Sequence, residues 1–264
     1  MKAWKWINTG AFAAMAAVNI LANMLPIGGN TTAQVSAAYP SLFTPAPITF
    51  SVWGLIYLLM GLFVLYQWGL FDQGVYSTGV QADIGPWFAV SCALNIAWIF
   101  LWNYRQTGLS VICIALLLAA LFVIRRRLKG AGGEVFQVMA AKSGFALYFG
   151  WIIAAFIANV GAWLTKTGWS GWGFSADFWT IAALLIGVVI ATAVVLIEED
   201  RIAALAVMWA YAGILIRHIS PAFYAGTHPY VIVTAIFGEA LILVAVLKPV
   251  IEMICGKKGG ACAH

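Results

Sequence analysis

Long apolar runs separated by short polar breaks dominate the pattern along the chain. They cover about Gly10–Ile27, Phe50–Leu70, Pro86–Tyr104, Leu109–Ile124, Ser143–Leu164, Phe178–Ile197, Ile202–Ile216 and Pro229–Leu247. Most approach the ~20 residues a helix needs to cross hydrocarbon. Only helices and closed barrels satisfy their backbone in lipid, and these runs lack the period-two alternation of barrel strands. The pattern predicts an all-α polytopic bundle of about eight transmembrane helices. The first run follows Lys2 and Lys5, but it is long for a signal segment and has no A-x-A cleavage site, so it reads as a retained helix. The breaks are an uncharged Gly28–Thr49 loop, the cations Arg125, Arg126, Arg127 and Lys129 with glycines behind them, the Trp- and Gly-rich TKTGWSGWGFSAD, and a polar hairpin at Glu198–Arg201.

Composition agrees: 64% hydrophobic, 9% charged, mean hydropathy +0.96. The net charge of +5 does not indicate nucleic acid, because the basic residues sit in short loops. Their distribution is informative instead. Of fourteen Lys and Arg, eleven fall on the amino-terminal side of the predicted topology, and only Arg105, Lys166 and Arg217 on the other. The positive-inside rule then places both termini in the cytoplasm, with the cell (inner) membrane as the expected location. Trp87, Trp102, Trp163, Trp169, Trp172 and Trp179 lie near predicted helix ends and read mostly as interfacial anchors. Cys92 and Cys113 read as small packing residues. Cys255, Cys262 and His264 in the tail match no standard zinc spacing, so no metal site is expected.

Three stripes of aromatic and amide residues stand out. In FTPAPITFSVWGLIYLLMGLFVLYQ, Phe50, Trp53 and Tyr57 lie at i, i+3 and i+7, on one helical face. Pro45 and Pro47 cannot sit inside a helix, so an extended lip should precede this face. Asn95, Trp98 and Trp102 form a second stripe; Tyr148, Trp151, Ala155 and Asn159 form a third. Amides in lipid need partners, and so do Asn19 and Asn23 on the first helix. Each amide alone reads as an inter-helix hydrogen bond. Three stripes together point to a ligand-lined pocket.

Here the chain resembles the TspO/MBR family, the tryptophan-rich sensory and translocator proteins. FTPAPITFSVWGLIYL keeps the family's spacing from proline to Trp53 to Tyr57. LNIAWIFLWNYRQTGLS, with Asn95 and Trp98, is similar to the family's third helix. LYFGWIIAAFIAN, with Tyr148, Trp151 and Asn159, is similar to its fifth. The chain departs in splitting the prolines with Ala46, in keeping only Tyr39 near the first-loop Trp-Tyr pair, in carrying Leu147 for a proline, and in extending past five helices. The resemblance divides the chain into a family-like five-helix membrane domain, residues 1–166, and three further helices with a short basic tail, residues 167–264. It implies a tetrapyrrole, sterol or drug-like ligand.

Glu239 falls midway along VIVTAIFGEALILVAVL. An intramembrane carboxylate is a functional candidate by default, and an unpaired one is expected to be neutral. It could equally be a neutral group bonded to a neighbouring helix. Arg217, His218 and His228 fall at the outer ends of the last two helices, where snorkelling to water is the favoured reading and an anionic ligand the other. No Walker loop, GxGxxG, nucleophile elbow or HExxH occurs, so enzymatic catalysis is not supported. The sequence thus predicts a membrane protein that binds a flat hydrophobic molecule for sensing or transport. Trp53, Trp98 and Trp151 would stack on the ligand, Phe50, Tyr57 and Tyr148 would complete the wall, and Asn95 and Asn159 would orient its polar edge. The alternatives are a proton- or ion-coupled transporter using Glu239, an enzyme acting on a tetrapyrrole, and a structural subunit of a membrane complex. Expected partners are the bilayer and the small molecule; a homodimer is left open, nucleic acid is not expected, and no cofactor is required beyond a tetrapyrrole ligand.

Overall fold

The computed structural model describes residues 2–69, 77–129 and 135–259, with side chains over 3–69, 84–129 and 141–248. Within them lie α1 (Lys2–Met24), α2 (Thr32–Ala38), α3 (Val52–Gln67), α4 (Ser77–Asn103), α5 (Thr107–Lys129), α6 (Val135–Lys166), α7 (Ala176–Glu198), α8 (Arg201–Ile219) and α9 (Pro229–Gly259). All but α2 contribute a segment long and apolar enough to cross a membrane, so the all-α bundle of eight spans is the observed architecture. The tail residues Cys255, Cys262 and His264 lie outside the described side chains.

Several helices run beyond their apolar stretches. α1 begins at Lys2, α6 at Val135, and α4 at Ser77 with Pro86 inside it. Hydropathy marks only the length in lipid; backbone hydrogen bonding continues the helix into the polar flank. The uncharged first loop is also partly helical. Thr31 and Gln34 form a reciprocal capping box that starts α2, and such a box satisfies two otherwise unpaired backbone donors. α2 lies against α4: Trp102 Nε1 donates to Thr32 O at 3.1 Å and Thr32 Oγ1 to Asn103 Oδ1 at 3.2 Å. Trp102 is therefore buried packing, not the interfacial anchor its place near a helix end suggested.

α4 packs between α1 and α5, α6 joins α5 to α8, and α8 packs on α6, α7 and α9. Close approach explains the tight seat of α8. A Cβ on Gly150 of α6 would come within 2.7 Å of the Ala203 carbonyl carbon on α8. Small residues allow this backbone contact, a common source of helix association in lipid. Ion pairs tie loops at one end of the bundle. Arg125 binds Asp200 at 2.6 Å and Arg126 binds Glu198 at 2.9 Å, so the end of α5 and the α7–α8 hairpin share that end. Gly213 and Arg217, at the far end of α8, meet the proline lip.

Candidate functional site

The three stripes meet. Helical spacing puts Trp53 and Tyr57 on one face of α3, where their rings stack at 5.5 Å. Trp53 is the centre of the cluster. Its ring lies 6.4 Å from Trp98 of α4, nearly parallel, and edge-on to Tyr148 at 5.7 Å and Trp151 at 6.2 Å on α6. Phe50 meets Trp151 edge-on at 5.7 Å, and Trp98 stacks with Trp102 at 6.1 Å. Trp98, Tyr148 and Trp151 are buried, while Trp53 and Tyr57 are half-buried and Phe50 is exposed. α3 packs chiefly on α6 and only lightly on α4. The accessible part of the cluster is thus the Phe50–Trp53–Tyr57 face.

The amides are engaged within the protein. Asn19 Nδ2 donates to Asn95 Oδ1 at 2.7 Å, and Asn95 Nδ2 donates to the Tyr148 hydroxyl at 2.7 Å, which links α1, α4 and α6. Asn159 Oδ1 accepts from Trp98 Nε1 at 3.0 Å and from Ser110 Oγ at 2.6 Å; its Nδ2 donates to Ala155 O at 2.9 Å. Four helices are therefore cross-linked by polar groups that lipid could not satisfy. Asn19 takes the inter-helix role its place in an apolar run suggested. Asn23 is exposed and bonds back to Asn19 O at 2.9 Å. Ser110 was not foreseen; a small hydroxyl near a helix start carries little signal in sequence.

Two polar groups at the cluster and the lip lack partners among the described residues. Trp151 Nε1 and Thr49 Oγ1 are both buried without a hydrogen bond. Such groups are costly and call for an explanation, an acceptor-bearing ligand or a water among them.

The lip is more structured than an extended segment. Ala46 is extended, but Pro47 opens a 3-10 turn, Pro47–Ser51, that runs into α3. Proline's lost N–H costs nothing at that position. α8 holds this lip at three points. Ala46 N donates to Gly213 O at 2.9 Å, Trp209 Nε1 to Thr49 O at 2.8 Å, and Arg217 Nη1 to Pro45 O at 3.3 Å. These contacts join residues more than 150 positions apart, and no local sequence signal announces them.

The carboxyl-terminal end of α8 and the start of α9 correct the snorkelling reading. His218 is fully buried, and its Nδ1 donates to Ile214 O at 2.9 Å. Arg217 lies over Tyr224 at 5.6 Å, and His228 Nδ1 pairs with Asp177 at 2.8 Å. Lone charged side chains reach for water; here packing supplies partners instead. Glu239 is half-buried on α9 and makes no hydrogen bond or ion pair among the described residues. It follows Gly238, where a Cβ would come within 2.7 Å of Val188 on α7. Among the described residues no group of three or more His, Cys, Asp or Glu could hold a metal.

Compared with known proteins, the chain is matched over residues 5–248 by the family model described as TSPO-like protein. That range runs across all eight spans. No curated protein and no solved structure matches it.

Proposed function

As a member of the TSPO-like protein family this chain is an integral membrane protein, and we propose that it binds a flat hydrophobic small molecule, tetrapyrrole- or sterol-like, against the Trp53 cluster. The observation that carries this reading is the convergence of Trp53, Tyr57, Trp98, Tyr148 and Trp151 from three helices next to the lip that α8 holds, with an indole N–H that has no partner among the described residues. Ligand sites are largely apolar and aromatic, with few convergent polar groups. The half-buried Trp53–Tyr57 pair offers the stacking surface, and Phe50 its outer edge. Trp98 and Tyr148 back that surface. Trp151 Nε1, buried behind that surface, supplies a donor for a carbonyl, ether or carboxylate on a ligand that inserts between the rings. Asn95 and Asn159 spend their bonds on neighbouring helices, so their part is to hold the wall rather than to grip the ligand.

Sensing or transport is the output this site supports, with both termini in the cytoplasm by the positive-inside rule. The second reading, a proton- or ion-coupled transporter, draws on the unpaired mid-span Glu239. A porphyrin added to the detergent-purified protein tests the ligand class. A saturable shift of its absorbance band, stoichiometric with protein, is expected. A band unchanged from detergent alone would show that the ligand class does not belong to this chain.

A further inference from the structure

A cluster at the carboxyl-terminal end of α8 has no part in the ligand reading. His218 is fully buried, and its Nδ1 donates to Ile214 O at 2.9 Å. In that tautomer Nε2 carries a lone pair, and this nitrogen is buried with no hydrogen-bond partner among the described residues. The turn between α8 and α9 closes over the ring. Tyr224 packs on His218 at 4.9 Å between ring centres and on His228 at 5.2 Å, and the two imidazoles are 5.6 Å apart. Gly226 N donates to His218 O at 2.8 Å and Tyr224 N to Arg217 O at 3.2 Å. The turn also holds Ala225 at a left-handed φ of 48°. That conformation is costly for a residue with a Cβ and persists only where the surroundings enforce it.

The same turn reaches the lip through Arg217. The guanidinium lies 5.5 Å from the Phe223 ring and 5.6 Å from the Tyr224 ring, and its Nη1 donates to Pro45 O at 3.3 Å. Tyr224 thus packs against both His218 and the arginine that grips the lip. A proton on His218 Nε2 would upset this arrangement twice. It would create a donor where the packed cluster supplies no partner, and it would add a buried positive charge near Arg217. The charged and titratable groups facing His218 are Arg217 on α8, Tyr224 in the turn, His228 just before α9 and Asp177 of α7. Asp177 is committed to His228 Nδ1 at 2.8 Å. The lip, residues 43–51, contains no ionisable side chain. On α6, Lys166 bonds Arg105 O, Tyr148 bonds Asn95, and Lys142 lies at the Arg125–Asp200 end of the bundle. Water would accept the new N–H, so acid favours the opened turn over the closed one.

We propose that His218 is the proton-sensitive element of a latch: uptake of a proton at Nε2 from the lip side of the membrane opens the α8–α9 turn, withdraws Arg217 from Pro45 and frees the lip. The Pro47–Ser51 turn carries Phe50, the outer edge of the Trp53 cluster, so a freed lip widens access to that site. This last consequence rests on the ligand reading above, whereas the latch itself is tested without ligand.

The test is hydrogen exchange with mass spectrometry on the ligand-free full chain in detergent. Protection, corrected for the intrinsic exchange rate, is compared at about pH 7.5 and about pH 5.5, which bracket the ordinary histidine value. One proton can shift the opening equilibrium by up to about tenfold per pH unit, so protection of the lip segment 43–51 and of the turn should fall by about fivefold or more on acidification. The α2 segment 32–38, which has no ionisable side chain, should keep its protection. His218→Asn retains the bond to the carbonyl four residues back, as Asn19, Asn23 and Asn159 make it at 2.9 Å, but takes up no proton. It should match the parent at the higher pH and show no fall at the lower. His218→Gln takes its place if the asparagine protein does not fold. His228→Gln should keep the acid response. A parent lip unmoved by acid overturns the proposal, as does an acid response that survives in folded His218→Asn or His218→Gln. Loss of the response in His228→Gln overturns the assignment to His218, and equal loosening of 32–38 shows a general acid effect instead of a latch. A turn that opens while 43–51 stays protected overturns the link to the lip.

Discussion

Replacing Gly213 by alanine should loosen the lip from α8. A Cβ at this position would overlap the Thr49 hydroxyl and come within 2.7 Å of Thr49 Cγ2 and 2.8 Å of its Cβ. Ordinary contact needs more than 3.4 Å, so Thr49 must retreat by roughly an ångström; overpacking of this kind costs about 1–3 kcal/mol. The retreat also strains the Ala46–Gly213 and Trp209–Thr49 hydrogen bonds, each worth a net ~0.5–1.5 kcal/mol. Alanine improves helix propensity by about 1 kcal/mol, but that gain stays within α8 and does not hold the lip. Local opening should therefore become about 1–3 kcal/mol easier. At ~1.4 kcal/mol per tenfold, the Ala46 amide should exchange with deuterium roughly 5- to 150-fold faster. Hydrogen exchange followed by mass spectrometry of the segment 43–51 reads this directly. Gly54→Ala is the control, because no atom lies within 4 Å of a Cβ there. If Gly213→Ala leaves exchange at Ala46 unchanged in folded protein, the latch is not holding the lip.

Asn159→Leu should lower the unfolding temperature markedly, since it leaves Trp98 Nε1 and Ser110 Oγ unpaired in the interior at about 1–3 kcal/mol each; an unchanged melting curve would remove the network from the account. Glu239→Gln should preserve folding and yield, because a neutral acid and an amide have similar demands in lipid; severe loss of folded protein would indicate an ionised, paired Glu239. Reporter fusions at the carboxyl terminus should signal a cytoplasmic location, given eleven of fourteen basic residues on that side, and an outside signal would invert the topology.

Much of this architecture is legible in the sequence because lipid leaves few choices. Apolar runs fix the eight spans, and helical spacing places Phe50, Trp53 and Tyr57, then Asn95 and Trp98, then Tyr148, Trp151 and Asn159, on single faces. What local spacing does not encode is which group each side chain chooses. Asn95 pairs with Asn19 and Tyr148, and Asn159 with Trp98 and Ser110, because those helices become neighbours only in the folded bundle. Trp102 shows the same limit: its place near a helix end suggests an interfacial anchor, but α2 covers it. α2 has one local signal, the Thr31–Gln34 capping-box spacing, set in a stretch whose composition favours a loop. The grip of α8 on the lip rests on contacts across much of the chain, from Pro45 to Arg217, and is visible only in three dimensions.

The central claim, a ligand stacked at the Trp53 cluster, is tested most directly by quenching of tryptophan fluorescence during porphyrin titration of four proteins. These are the parent, Trp98→Ala, Trp151→Ala and Trp169→Ala, each first shown to be folded in detergent. Aromatic contacts contribute about 0.5–1.5 kcal/mol per pair beyond area burial. Trp98 and Trp151 hold the Trp53 ring by such contacts, so Trp98→Ala and Trp151→Ala should each loosen the stacking surface and weaken binding roughly two- to tenfold, and Trp169→Ala, in the loop between α6 and α7, should bind as the parent does. Parent-like affinity in both Trp98→Ala and Trp151→Ala would contradict the assignment of the site.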